Sequence, residues 1–362
     1  MDLMYNITRR SALGALAAAG MQAAPPERSL LDRIMPASKS SGFRQDDYWV
    51  WCGSPIRGED GKYHLFASRW PHRYAFFTGY QVYSEIVRAV ADTPAGPYRF
   101  AEVVLPVRGE QFWDGRMTHN PTIHHWRGQY LLFYIGSTYK GANPSVADLA
   151  NGSTAQTRES YSKICIGLAT SSSVKGPWRR LDEPILRPRA GKWDASIVTN
   201  PAPCVRPDGR IIMIYRSNTK NGLRLGVAAA ARYDQPFERV SDDPVELFAN
   251  GAGVEDPYLW WNGDHYEAIM KDMSGAITGE RHAGVHAASA DGLAWTLKPQ
   301  PKAYSRTIRW DDGSTTIQGS LERPQLLFDG GRPTHLFAAT GDGPGGFEHA
   351  NNTWTMVIPL KR

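Results

Sequence analysis

Glu255 and Asp256 stand side by side ahead of Pro257. Like-charge repulsion between adjacent carboxylates, and desolvation where a strand begins, both raise a carboxyl pKa, which is what a proton donor requires. Glu255 is therefore the first choice for a general acid, and acid–base chemistry shared between two carboxyl groups would take a second, ionised one as its partner. Three places offer one. Trp113-Asp114 and Trp193-Asp194 each put an Asp seven residues before the proline of an Asn-Pro pair, and Asp46-Asp47 stands eight or nine residues before Pro55. Asp47 is the preferred base and Asp194 the next; Asp272, interrupting an apolar stretch at Met270-Lys271-Asp272-Met273, is a further candidate. A Trp-Asp pair that merely caps a loop is an equally good account of positions 114 and 194.

Donors and acceptors recur at matching places: His119, Asn120, Asn200, Glu322 and Arg323 before prolines, Arg216 and Lys271 in the strands that follow. Such a mixture suits a polyhydroxylated ligand, and the three cations would also suit a carboxylate such as that of a uronic acid. Trp49, Trp51, Trp113 and Trp193 have the faces to stack on sugar rings. His119, His124 and His125 do not form a zinc spacing.

These residues sit in a pattern that repeats five times: a polar pair, a proline, an apolar run, a Gly-containing turn and a second apolar run. The prolines are 55, 121, 201, 257 and 324, with steps of 66, 80, 56 and 67. Apolar runs joined by tight Gly turns read as hairpins, and proline marks the first residues of a strand. After each of the first four hairpins comes a third strand, a turn such as Gly96-Pro97 or Gly176-Pro177, and a fourth strand opened by an aromatic. Four strands per unit and five units predict an all-β chain, a five-bladed β-propeller of four-stranded antiparallel blades spanning residues 42–362. The fifth unit has Thr353–Leu360 as its third strand, and Asp47–Trp51 is expected to supply its fourth. The polar insertion 138–162 reads as a rim loop.

From residue 42 onward the sequence resembles the five-bladed-propeller glycoside hydrolases of the family 43 type, as a divergent member. The resemblance is carried by the Asp60-Gly61-Lys62-Tyr63 type of hairpin, the turn 169–178 and Glu255-Asp256-Pro257. It implies an exo-acting, inverting hydrolase of plant or algal glycans, arabinofuranosidase- or xylosidase-like, with a Glu acid on the fourth repeat and Asp residues on the first and third. Glu255 matches the acid; Ser54 and Asn200 occupy the other two places and are not carboxylates. A structural Ca2+ is implied by the resemblance alone, and no cofactor is called for. A polysaccharide lyase using His119 or Tyr48 with Arg323, and a carbohydrate-binding propeller without catalysis, are the competing readings.

Composition narrows the classes further. The 362 residues carry a net charge of +5, 41% hydrophobic residues, 12 Trp, 16 Tyr and 12 Phe, enough to bury a core. No basic tract suits nucleic acid, and no apolar run of about 18 residues outside the N-terminus suits a membrane. Three cysteines make no disulfide framework. Thr8-Arg9-Arg10-Ser11, followed by a small-residue apolar run, reads as a twin-arginine export signal, with residues 1–41 as signal and linker and a periplasmic or extracellular destination.

Overall fold

The computed structural model describes residues 28–248, 251, 253–343 and 345–362; the expected export signal lies outside them. A short helix α1 (Leu30–Arg33) leads into the first blade, β1 (Tyr48–Arg57), β2 (Tyr63–Pro71), β3 (Glu85–Ala91) and β4 (Arg99–Val103), with helix α2 (Phe76–Tyr83) between β2 and β3. The second blade is β5 (Met117–Trp126), β6 (Gln129–Ser137), β7 (Cys165–Ser171) and β8 (Arg179–Arg180). The third is β9 (Thr199–Val205), β10 (Ile211–Thr219), β11 (Gly222–Ala230) and β12 (Glu238–Arg239). The fourth is β13 (Val254–Trp261), β14 (Tyr266–Asp272), β15 (Gly284–Ser289) and β16 (Thr296–Tyr304). A small hairpin, β17 (Thr307–Arg309) with β18 (Thr315–Ile317), precedes the fifth blade of β19 (Glu322–Asp329), β20 (Arg332–Gly341) and β21 (Thr353–Pro359). The ladders are antiparallel throughout. This is the five-bladed propeller that the repeats predict.

The second strand of each blade is buried on both faces, which is why it reads as an unbroken apolar run. In β6 the alternation is plain: Leu131, Phe133 and Ile135 enter the core shared with blade three. Tyr130, Leu132 and Tyr134 enter the core shared with blade one. Side chains of a strand point alternately to its two faces, so one strand serves two interfaces. The same division recurs in β20, where Leu336 and Ala338 face blade four and Phe337 faces blade one.

The ring closes differently from the expectation. Asp47–Trp51 does not pair with β21; Tyr48 to Trp51 open β1 itself. The fourth place on blade five is taken by Phe43, whose N–H donates to Thr355 O at 3.0 Å while the Thr355 N–H donates back at 2.9 Å. Gly42, with φ +80°, makes this contact attainable, since a Cβ there would lie 2.0 Å from Thr355 O. Residues 28–41, read as linker, pack as well: Leu30 and Ala37 join the core between blades four and five. The insertion 138–162 is not only loop, because it holds helices α3 (Val146–Ala150) and α4 (Ala155–Ser162), both closed by capping boxes. Among the described residues no helix is long and apolar enough to cross a membrane.

Candidate functional site

Every inner strand carries the same irregularity near its start. Cys52, Asn120, Asn200, Asp256 and Arg323 have φ of 55°, 51°, 53°, 53° and 51°, and each lies within a shift of the ladder register. Such a bulge turns two successive side chains inward where a regular strand would turn one. A proline follows four of the five, at 121, 201, 257 and 324, where its missing N–H costs nothing. On blade one the matching residue is Gly53, not Pro55, and a Cβ on Gly53 would lie 2.4 Å from Thr355 Cγ2. The sequence alignment of that blade is thus two residues out. Ser54 is a buried staple between blades, donating to Gln325 Oε1 at 3.1 Å and accepting from Ile123 N at 3.1 Å. By register, Cys52 stands where the resemblance implies a first-repeat Asp.

Four of the five left-handed residues join side chain to side chain across the axis, and the fifth, Arg323, joins through its backbone. Cys52 Sγ donates to Asn120 Oδ1, Asn120 Nδ2 to Asn200 Oδ1, and Asn200 Nδ2 to Asp256 Oδ1, each at 2.8 Å. The Arg323 backbone N–H donates to Asp256 Oδ2 at 3.2 Å, and its Nη2 reaches Pro201 O on blade three at 3.3 Å. Asn and Asp tolerate the left-handed region better than other chiral residues. All five are buried, so the axis has a sealed floor of one residue per blade.

One residue earlier in each strand stand Trp51, His119, Thr199, Glu255 and Glu322, which line a cavity of about 170 Å3 above that floor. Arg216 and Lys271 enter it from the second strands of blades three and four, because Arg216 pairs with Thr199 and Lys271 with Glu255 in the ladders. Lys271 Nζ lies 2.9 Å from Glu255 Oε2 and 3.7 Å from Asp256, and it also bonds Glu322. Arg216 holds the other oxygen of Glu255. The opposite wall is aromatic: Trp51, Trp70, and Phe76, Phe77 and Tyr80 of α2. Tyr161 of α4 completes the rim.

Electrostatics separate the acids. Burial, with the neighbouring charges of Asp256 and Glu255, pushes the Glu322 carboxyl up despite Lys271. Asp256 is held down by Lys271, Arg323 and Arg216 against its own burial. Lys271 is driven upward by the acids around it, which outweigh its desolvation. Burial lowers His119 to about 3, so it is neutral, with Nδ1 2.7 Å from Ser84 Oγ. Glu255, Asp256 and Glu322 bring oxygens within 4.8 Å of one another, a spacing a metal ion could use. Ca2+ takes six to eight oxygen ligands, whereas here the ammonium of Lys271 already bonds the carboxylates. The residues therefore do not fit the Ca2+ that the resemblance implies.

Nine of the expected site residues meet in this funnel: Trp51, His119, Asn120, Asn200, Arg216, Glu255, Lys271, Glu322 and Arg323. The candidate aspartates and the tryptophans beside two of them do not. Asp47 lies exposed on the turn before β1, where its carbonyl accepts from His72 N. Asp194 is fully buried among Arg189, Arg239 and the Tyr215 hydroxyl, with Trp193 stacked on Tyr215 at 5.8 Å. Asp114 repeats that arrangement with Arg108, Arg180 and Tyr134, and Trp113 stacks on Tyr134 at 5.7 Å. The Trp-Asp pairs are thus blade staples, not rim groups. Asp272 organises the loop after β14 by accepting from the N–H groups of Gly275, Ile277 and Thr278, which lowers its pKa against its burial. Trp70, Phe76, Phe77, Tyr80 and Cys52 escaped the sequence reading; the aromatic run over 70–83 was the available signal for all but the last.

No protein-family model and no curated protein matches the chain. Solved structures do. Zg3597, a family 117 glycoside hydrolase of the marine bacterium Zobellia galactanivorans, superposes with a TM-score of 0.63 at 14% identity over 92% of each chain. BT0996, solved as an RGII complex, gives 0.64 at 16% identity over 91% of this protein and 93% of its own length. CoXyl43, a family 43 β-xylosidase/α-arabinofuranosidase from a compost metagenome solved with xylotriose, gives 0.59 at 14% identity over 91% and 96%. Over nine-tenths of its length, this chain has the five-bladed propeller fold of the family 43 and family 117 glycoside hydrolases.

Proposed function

We propose that this protein is a glycoside hydrolase that works on the terminal sugar of a glycan seated in the funnel. One observation carries the reading. Above a sealed axial floor, Glu255 and Glu322 from neighbouring blades converge through Lys271 opposite an aromatic wall. The wall offers a face for the sugar ring, and the sealed floor favours a chain end over a chain middle. Glu322, whose pKa burial and the acids beside it raise despite Lys271, donates to the leaving glycosidic oxygen. Glu255, held between Arg216 and Lys271, is the partner that meets the positive charge developing at the anomeric carbon.

One oxygen of each lies within 4.8 Å of an oxygen of the other. So close an approach leaves little room for the water that inverting pairs, roughly 6.5–9.5 Å apart, hold between them. We therefore assign retention, with Glu255 as nucleophile, in place of the inversion and of the Glu255 acid that the resemblance implies. Arabinofuranosides and xylosides are the first substrates to try, and export through the Arg9-Arg10 signal belongs to the same proposal.

A screen on plant and algal oligosaccharides, reading reducing ends and ultraviolet absorbance, tests this. New reducing ends that vanish in Glu255→Gln and Glu322→Gln support it, and proton NMR of the first-formed anomer checks retention. An ultraviolet-absorbing product would replace it with a lyase. The second reading, a binding propeller, is favoured by Cys52 and Asn200, which stand where acids are expected and are engaged in the floor. Sugar binding without any product would establish it.

A further inference from the structure

Helix α2 has a cavity on each side. Phe76, Phe77 and Tyr80 line the funnel, while its last residues, Val82 and Tyr83, line a second cavity of about 220 Å3. Tyr80 and Tyr83 are three residues apart, about 4.5 Å along a helix axis at 1.5 Å per residue. The second cavity opens on the same face of the propeller as the funnel, since Tyr48 and Glu85 sit at the starts of β1 and β3, beside Pro71 at the end of β2.

We propose that this groove between blades one and two is a second sugar-binding site, which holds a neutral stretch of glycan lying beyond the ring in the funnel. The inference rests on the carbohydrate reading of the funnel but not on its chemistry. Tyr48 and Tyr83 are the groove's half-buried aromatic surfaces, fixed in place beside the buried Tyr139. Tyr83 stacks on Tyr74 with ring centroids 4.0 Å apart and 8° between planes, and its hydroxyl donates to Pro144 O at 2.7 Å. The Tyr139 hydroxyl donates to Asn143 Oδ1 at 2.9 Å. Tyr48 is backed by the Arg69 guanidinium 4.1 Å from its ring. Rigid rings of this kind give contact area at little cost in conformational entropy.

Polar capacity is left over beside them. Arg69 uses only Oε1 of Glu85, so Oε2 remains as an acceptor among the described residues. Arg116 spends Nη1 on Asn143 Oδ1 and Nη2 on Glu110 and Gly141 O, and its buried Nε has no acceptor. Asn143 accepts through Oδ1, leaving its Nδ2 donors. Fixed aromatic faces with a few convergent donors and acceptors are the make-up of a sugar site. The charges are matched in pairs, Arg69 with Glu85 and Arg116 with Glu110, so the groove has no excess charge to attract a polyanion.

Electrophoresis through gels containing arabinan, xylan or galactan tests this directly. The wild type should be retarded by at least one of these neutral polysaccharides, and the double variant Tyr48→Leu/Asn143→Ala should lose that retardation. On the same polysaccharide kcat/KM should fall about tenfold, as expected for losing one stacked ring and its hydrogen bonds, with aryl monosaccharide glycosides hydrolysed as before. Val107→Arg, at a rim position 64% exposed, crowds the groove without touching the core and should reproduce the loss if the double variant folds poorly. Retardation of the wild type by none of the three polymers, or undiminished retardation of the variants, overturns the proposal. Retardation that survives in Glu255→Gln while all hydrolysis is absent even in the wild type would sustain the groove and remove the hydrolase reading.

Discussion

Lys271 Nζ lies 2.9 Å from Glu255 Oε2 because the two residues face each other directly in the β13–β14 ladder. Directly opposed residues in a sheet meet without long reach, so the ammonium is delivered to the carboxylates by register. Breaking a buried pair by removing one partner strands the other charge, at a cost of about 3–5 kcal/mol. Lys271→Met should lose stability on that scale in urea unfolding, and Lys271→Arg should recover part of it. A Met variant as stable as the wild type would mean that Lys271 is not what holds the three acids together.

Proton donation by Glu322 fixes a pH dependence. Its pKa is raised, so the donor form is lost as pH rises through that value, and activity should fall on the alkaline side. Glu322→Gln should lower kcat by about 10²–10⁴, the usual worth of a positioned acid, and remove that limb from the residual rate. An unchanged alkaline limb in Glu322→Gln would assign it to another group.

His119 makes the opposite prediction for stability. Its folded pKa is lowered from 6.5 to about 3 by burial and by Arg323, so folding favours the neutral ring. That contribution is fully present above about 6.5 and is lost as pH falls toward 3. Ser84, Trp70, Tyr80 and Arg323 are its neighbours, and none offers a carboxylate to a protonated ring. His119→Gln should flatten the decline of Tm with acidification over this range.

Asp194 separates structure from chemistry. Asp194→Ala leaves Arg189, Arg239 and the Tyr215 hydroxyl without their shared acceptor, and stability should drop by about 3–5 kcal/mol. Activity per folded molecule should be unchanged. A variant that folds well and is inactive would return Asp194 to the reaction.

Ring closure has its own test at Gly42. A methyl group there meets Thr355 O, and the positive φ disfavours any chiral residue, so Gly42→Ala should cost more than about 1 kcal/mol. The loss should appear as faster proteolysis between residues 28 and 48 and as a lower Tm.

The repeats, the turn glycines and the apolar second strands determined the propeller from the sequence, because strand periodicity and hairpin chemistry are local. They also determined that His119, Asn120, Asn200, Glu255, Glu322 and Arg323 lie at matching strand starts, and all six meet in the funnel. Only the tertiary structure decided which carboxylates belong there. Asp47, Asp114 and Asp194 share their spacing with site residues, but loop paths, and the arginines Arg180 and Arg239 brought in from the outer strands, sent them to a turn and to two staples. The offset at blade one has the same origin: Gly53 fills the proline's place because Thr355 packs against it from the far end of the chain. Local pattern fixes what a strand is; contacts across some three hundred residues fix what its side chains face.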